Sequence, residues 1–177
     1  MKKTLMGLVL ASVMAAPAFA AQPVQLSLPN NNLPAGDVYG FRASLLYGQT
    51  PSVTGFQLPI LGLAESQQFK GLSFGMLFGA NRVTGNSTGV KFGLGNWNDN
   101  TATGADFGFA NYTGGQFTGL QFGALNYAHS LNGLQFGFIN ATDRIEKGVQ
   151  IGLINYDKSG TFIGKNVPVF PIINARF

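Results

Sequence analysis

"GLQFGALNYAHSLNGLQFGFIN", residues 119–140, writes Gly-Leu-Gln-Phe-Gly, an apolar pair and Asn, and 14 residues later writes nearly the same phrase again. In general form the phrase is Gly-φ-x-φ-Gly-φ-φ-Asn, with φ apolar. It stands as "GVKFGLGN" from Gly89, "GADFGFAN" from Gly104, "GLQFGALN" from Gly119, "GLQFGFIN" from Gly133 and "GVQIGLIN" from Gly148. Looser copies begin at Gly40, Gly55 and Gly71, and a last one, "VPVFPIIN", runs from Val167 to Asn174. These first three copies lack the terminal Asn. Successive starts lie 15, 16, 18, 15, 15, 14, 15 and 19 residues apart. Length varies only between phrases, so the phrase is the regular element and the rest is connection.

Counting the first Gly as position 1, positions 2, 4 and 6 are almost always large and apolar, as in Leu134, Phe136 and Phe138. Position 3 carries Arg42, Gln57, Ser73, Lys91, Asp106, Gln121, Gln135 or Gln150 between glycines. A strand sends alternate side chains to opposite faces, so one face is greasy and the other polar. Helix is excluded by the period of two and by two glycines in every eight residues, each costing about 1 kcal/mol. The chain is therefore all-β, built of about ten short strands on a repeat of roughly 15 residues.

Two architectures satisfy this pattern. The favoured one is an antiparallel β-barrel of the outer-membrane type. Each copy with its flanks gives the ~9–11 residues of a tilted spanning strand, and nine copies plus a run over Val24–Leu28 make an even count. Lipid would meet the Leu/Phe stripe, and Trp97, Tyr112, Tyr127 and Tyr156 at position 9 would sit near an interface. The alternative is a β-solenoid, in which equivalent residues stack coil on coil. It explains what the barrel does not: the repeated Asn96, Asn111, Asn126, Asn140 and Asn155 would form one ladder. Pro59 and Pro171, standing where other copies have Gly, also suit corners better than mid-strand positions.

Residues 1–20, "MKKTLMGLVLASVMAAPAFA", read as a bacterial signal peptide: two lysines, a short apolar run and a small-x-small end at Ala18-Phe19-Ala20. Residues 21–177 then form a single β-repeat domain, clearest over 89–156. The chain has no cysteine, which excludes disulfides, thiolate metal sites and a lipidated leader. Without Lys2 and Lys3 the net charge falls from +4 to +2, spread singly, so no nucleic-acid footprint exists. Only 10% of residues are charged, against about 25% in an ordinary soluble domain, and 25 glycines and 16 phenylalanines take their place. That balance suits sheets facing lipid or each other.

Catalytic chemistry finds little purchase. His129 is the only histidine, in a connection, and adjacent Ser130 cannot align with it for proton transfer. Asp37, Glu65, Asp99, Asp143, Glu146 and Asp157 lie between phrases and read as solvated loop charges. Asp106 and Lys91 hold position 3 in neighbouring copies and read as a structural ion pair. No phosphate-binding glycine motif leads into a helix. The sequons at Asn86, Asn111 and Asn140 are discounted beside a bacterial leader. No catalytic, cofactor-binding or metal residue is assigned, and no cofactor is expected.

The phrase resembles the Gly-φ-Gln-φ-Gly-φ-φ-Asn units of surface-repeat proteins found in spirochaetes and other Gram-negative bacteria, over Gly40 to Asn174. That resemblance implies an envelope or surface location and brings no activity with it. The expectation is an exported, non-enzymatic outer-membrane or cell-surface protein with a structural or permeability role and outer-membrane lipid as its partner. The alternative is a periplasmic or secreted solenoid binding a partner through a Gln/aromatic face.

Overall fold

The computed structural model describes residues 21–177; the leader assigned to residues 1–20 lies outside the described residues. Among the described residues eleven strands and no helix are formed: β1 (Gln22–Leu28), β2 (Asn31–Leu33), β3 (Val38–Ser44), β4 (Tyr47–Pro59), β5 (Leu63–Phe74), β6 (Ala80–Val83), β7 (Ser87–Asn98), β8 (Ala102–Phe122), β9 (Leu125–Phe136), β10 (Ile139–Asp157) and β11 (Val169–Arg176). From β3 to β11 they pair in chain order, with β7 also reaching β5 past the short β6 and β1 lying between β3 and β2, as one sheet that coils on itself. Like positions of the phrase are partners: Gly40 with Gly55, Gly55 with Gly71, Gly71 with Gly89, Gly89 with Gly104, Gly119 with Gly133, and Gly133 with Gly148. These pairings are all parallel. The molecule is thus a β-solenoid of nine coils, and the antiparallel barrel is overturned, because a barrel would run each copy against its neighbour.

The ends differ from the body. β1 is a true first coil, parallel to β3 with Gln25 opposite Arg42, and β2 folds back on it antiparallel. At the other end β11 also runs antiparallel, on β10. The copy read over Val167–Asn174 is therefore a reversed cap, not another coil, and such a cap blocks further parallel addition at an open edge. Pro171 sits where the β10–β11 register breaks between Gly152 and Asn155, and Pro59 ends β4. Both prolines avoid the ladder bonds they cannot donate to.

The two glycines of the phrase have separate reasons. Position-1 glycines hold φ between +127° and +157°, from Gly104 to Gly148, where L side chains are strained. A Cβ there would also strike a carbonyl of the preceding coil, that of Pro23 for Gly40 and of the preceding position-1 glycine from Gly55 onward. The position-5 glycine points inward beneath an asparagine amide: a Cβ on Gly123 would stand 2.7 Å from Asn111 Nδ2, and one on Gly137 2.6 Å from Asn126 Nδ2. Gly at position 5 and Asn at position 8 are one device.

That device fills the interior. Asn81, Asn96, Asn111, Asn126 and Asn140 each donate from Nδ2 to Oδ1 of the next asparagine, every bond 2.9 Å long, ending at Asn155. The second Nδ2 hydrogen of each goes to the position-4 carbonyl of the next coil, as from Asn111 to Phe122 at 3.0 Å. Asn81 belongs to the Gly71 coil, where an insertion of Met76-Leu77-Phe78 pushes it out of phrase spacing. The ladder therefore has six members, not five. Its first oxygen accepts from Ser73 Oγ at 2.6 Å and Gln57 Nε2 at 3.1 Å.

Position 3 makes a second interior column running the opposite way. Asn174 donates to Gln150, Gln150 to Gln135 and Gln135 to Gln121, at 3.1, 2.9 and 2.8 Å. In mid-solenoid this column becomes ionic: Lys91 Nζ lies 2.8 Å from Asp106 Oδ1, donates to Ser87 Oγ at 2.6 Å, and sits 5.7 Å from the Phe69 ring centre. Asn98 Nδ2 donates to the other Asp106 oxygen at 2.8 Å. Near the start of the column, buried Arg42 donates to Ser27, Gln57 and the Glu65 carbonyl. Burial pulls its guanidinium down to about 10, partly offset by the field of Glu65, so it stays charged at neutral pH.

Ala64 apart, apolar burial among the described residues falls in two clusters: Val38, Val53, Phe69 and Val83, and Ala102, Phe117, Ala128, Leu131 and Ile145. Most large apolar side chains, including Phe109, Phe138 and Leu153, point outward. The alternation was read correctly from sequence, and the polar face is the inside.

Candidate functional site

Among the described residues the sequence candidates do not assemble into a catalytic centre. His129 lies on the outside with Nδ1 3.2 Å from Asp143 Oδ2, while Ser130 Oγ donates to Glu146 at 3.2 Å and not to His129. Lys91 and Asp106 meet as the sequence suggested, but with both side chains about 1% exposed they form a structural pair closed to any substrate. Among the described residues no group of three or more His, Cys, Asp or Glu is placed to hold a metal.

Two carboxylates depart from the reading of solvated loop charges. Asp157 is buried at position 10, accepting from Ser159 Oγ at 2.7 Å with Arg176 3.6 Å away. Glu65 is buried in register with Arg82, bonded by Gln49 and facing Arg82 at 3.5 Å. Arg82 also bonds Asp99 at 2.9 Å, and that bond, with the Asp99 charge, raises its pKa. The Gln face invoked as a partner surface is corrected too: Gln57, Gln121, Gln135 and Gln150 are buried and reach no partner.

What the exterior offers is two contrasting flanks. On the first, positions 2, 4 and 6 present phenylalanines stacked coil on coil, with Phe92–Phe107 centres 4.7 Å apart and Phe122–Phe136 5.3 Å. Each stacked pair is worth about 0.5–1.5 kcal/mol beyond its burial. Among the described residues no charge stands on these positions. Position 6 reads Met76, Leu94, Phe109, Ala124, Phe138 and Leu153, and the short Ala124 opens an apolar notch over Gly123 and Gly137, walled by Phe122, Phe136 and Phe138.

The second flank begins at position 9, where Trp97, Tyr112 and Tyr127 stack at 4.2 and 5.2 Å. A groove of about 410 Å³ follows them past Leu125 and Ile139 to Ala141. Position 11 lies beside it with Asp99, His129, Asp143 and Lys158. Tyr127 donates its hydroxyl to Asp143 at 3.3 Å. Burial and then the Asp143 charge raise the Tyr127 phenol above its ordinary value. The sequence pattern marked the position-9 aromatics; the charged column beside them needed the 15-residue alignment to be carried through the connections.

Compared with models of protein families, with curated proteins and with solved structures, the chain matches none.

Proposed function

We propose that the protein is an exported, non-enzymatic element of the Gram-negative envelope that rests with its charge-free flank on the outer-membrane surface. The observation carrying this is the division of the exterior. Exposed Phe74, Leu94, Phe109, Phe138 and Leu153 share a flank on which, among the described residues, no ionised group stands. Eight coils at about 4.8 Å give it a length near 38 Å and an area on the order of 600 Å², the top of the range for monomers. Lys70 and Lys147 border it on one side and Trp97, Tyr112 and Tyr127 on the other, the residue types that sit at the water–lipid boundary. The role this favours is structural. A permeability role rested on a barrel lumen, and here ladders of side chains occupy the interior.

Vesicle flotation tests the reading. Mature wild-type protein should float with vesicles of phosphatidylethanolamine and lipopolysaccharide, and Phe109→Glu/Leu153→Glu should remain at the bottom with an unchanged β-type circular dichroism spectrum. Wild-type protein that stays at the bottom refutes it. The aromatic groove on the second flank favours an additional, partner-binding role.

A further inference from the structure

We propose that Tyr127, Ala141 and Tyr156 form a slot that holds one sugar ring of a glycan. Position 9 carries Trp97, Tyr112, Tyr127, Ala141 and Tyr156 on successive coils. Trp97, Tyr112 and Tyr127 cover one another's faces, with ring planes 26° and 14° apart. The column then skips a ring. Ala141 is the register partner of Tyr127, and the Asn140–Asn155 hydrogen bond of 2.9 Å sets Tyr156 on the coil after it.

Two coil steps separate the tyrosines by about 9.6 Å along the axis. A ring between them lies about 4.8 Å from each, inside the ~4.5–7 Å range of ring stacking. The methyl of Ala141 is the floor. One rim is polar: Asp143, two residues beyond Ala141, takes the Tyr127 hydroxyl at 3.3 Å, with His129 Nδ1 at 3.2 Å and Lys158 Nζ at 4.0 Å. A depression of about 360 Å³ opens on that side, and the 410 Å³ groove continues from the slot along Tyr127, Tyr112 and Trp97.

These surroundings select the ligand chemistry. A pyranose has C–H faces that stack on electron-rich rings and hydroxyl edges that both donate and accept. Asp143 supplies the acceptor and Lys158 the donor, and a sugar's hydroxyl edge can bond to both where a wholly apolar guest would use neither. The groove leading away gives room for further sugar units, so a chain suits the site better than a free monosaccharide. The slot lies beyond the aromatic border of the lipid-facing flank and shares no residue with Phe109 and Leu153, so its failure would leave the flotation result unaffected.

The test is binding of the fluorescently labelled mature protein to an array of neutral hexose and N-acetylhexosamine oligosaccharides, with adenosine titrated separately by tyrosine fluorescence. At least one oligosaccharide class should bind the wild type. Ala141→Tyr fills the slot and completes the column, so it should lose binding at least tenfold while melting about 2–4 °C higher. Tyr156→Ala should also lose binding and keep its β spectrum. The proposal is overturned by absence of glycan binding, by undiminished binding in the Ala141→Tyr variant, or by adenosine binding without any glycan.

Discussion

Replacing Asn126 by Ala removes the middle rung of the interior ladder, and the hydrogen bonds predict what that costs. Asn126 accepts from Asn111 and donates to Asn140, both at 2.9 Å, and donates to the Phe136 carbonyl at 3.0 Å. Asn111 keeps its bond to Phe122, and Phe136 keeps its bond from Gly123 N. Two buried groups are then orphaned: one Asn111 hydrogen and the Asn140 oxygen. At about 1–2 kcal/mol each, plus about 1 kcal/mol for the lost side-chain volume, the variant loses about 3–5 kcal/mol. Asn155→Ala provides the internal control. It ends the ladder and donates only to the Gly152 carbonyl, so its removal orphans one Asn140 hydrogen and, with the same volume term, costs about 2–3 kcal/mol. Urea unfolding followed by Trp97 fluorescence measures both, with unchanged m values required for the comparison. A loss at Asn126 below about 0.5 kcal/mol, the scale of a surface substitution, would refute the reasoning. So would equal losses at the two sites.

Other outcomes follow from the same geometry. Gly119→Ala should destabilise by more than about 3 kcal/mol in the same unfolding assay, because it meets both the φ of +130° and the Gly104 carbonyl; Gly164→Ala, with nothing within 4 Å of its Cβ, should change little. Lys91→Met alone leaves Asp106 charged and buried and should cost about 3–5 kcal/mol, while adding Asp106→Leu should restore much of it. Tyr127 should titrate above pH 10 by its phenolate absorbance, and Asp143→Asn should bring it down. Since its folded pKa is raised, Tyr127 contributes stability that is complete below the unfolded phenol's pKa and is lost as pH climbs through the folded one.

Much of this was legible in the chain, and the gaps have physical causes. Alternation separated Leu134, Phe136 and Phe138 from Gln135, but parity does not say whether the neighbouring strand runs parallel or antiparallel. A barrel and a solenoid both turn the greasy stripe outward. The informative residue was the repeated Asn, whose amide both donates and accepts and so profits only from an identical neighbour in register. Asn81 escaped because Met76-Leu77-Phe78 bulges out before it, and a bulge changes spacing in sequence without changing the stack. Asp157 read as a loop charge because position 10 falls outside the phrase, although the coil continues inward there. The reversal of β11 was hidden because Phe170, Ile172 and Asn174 keep a phrase-like order in either direction.

The chain has no cysteine, which makes the stacking direction directly measurable. Thr88 and Thr103 are exposed register partners on β7 and β8. Thr88→Cys/Thr103→Cys should close a disulfide on mild oxidation, since parallel neighbours hold their Cα atoms within the ~4.4–6.8 Å that the bond requires. An antiparallel hairpin of the same two copies would part these positions by about nine residues along a strand, roughly 30 Å. Intramolecular disulfide formation in the folded double variant, read by mass spectrometry, is the result the solenoid predicts. Two free thiols in a folded protein, with a Thr88→Cys/Tyr112→Cys pair closing instead, would contradict it.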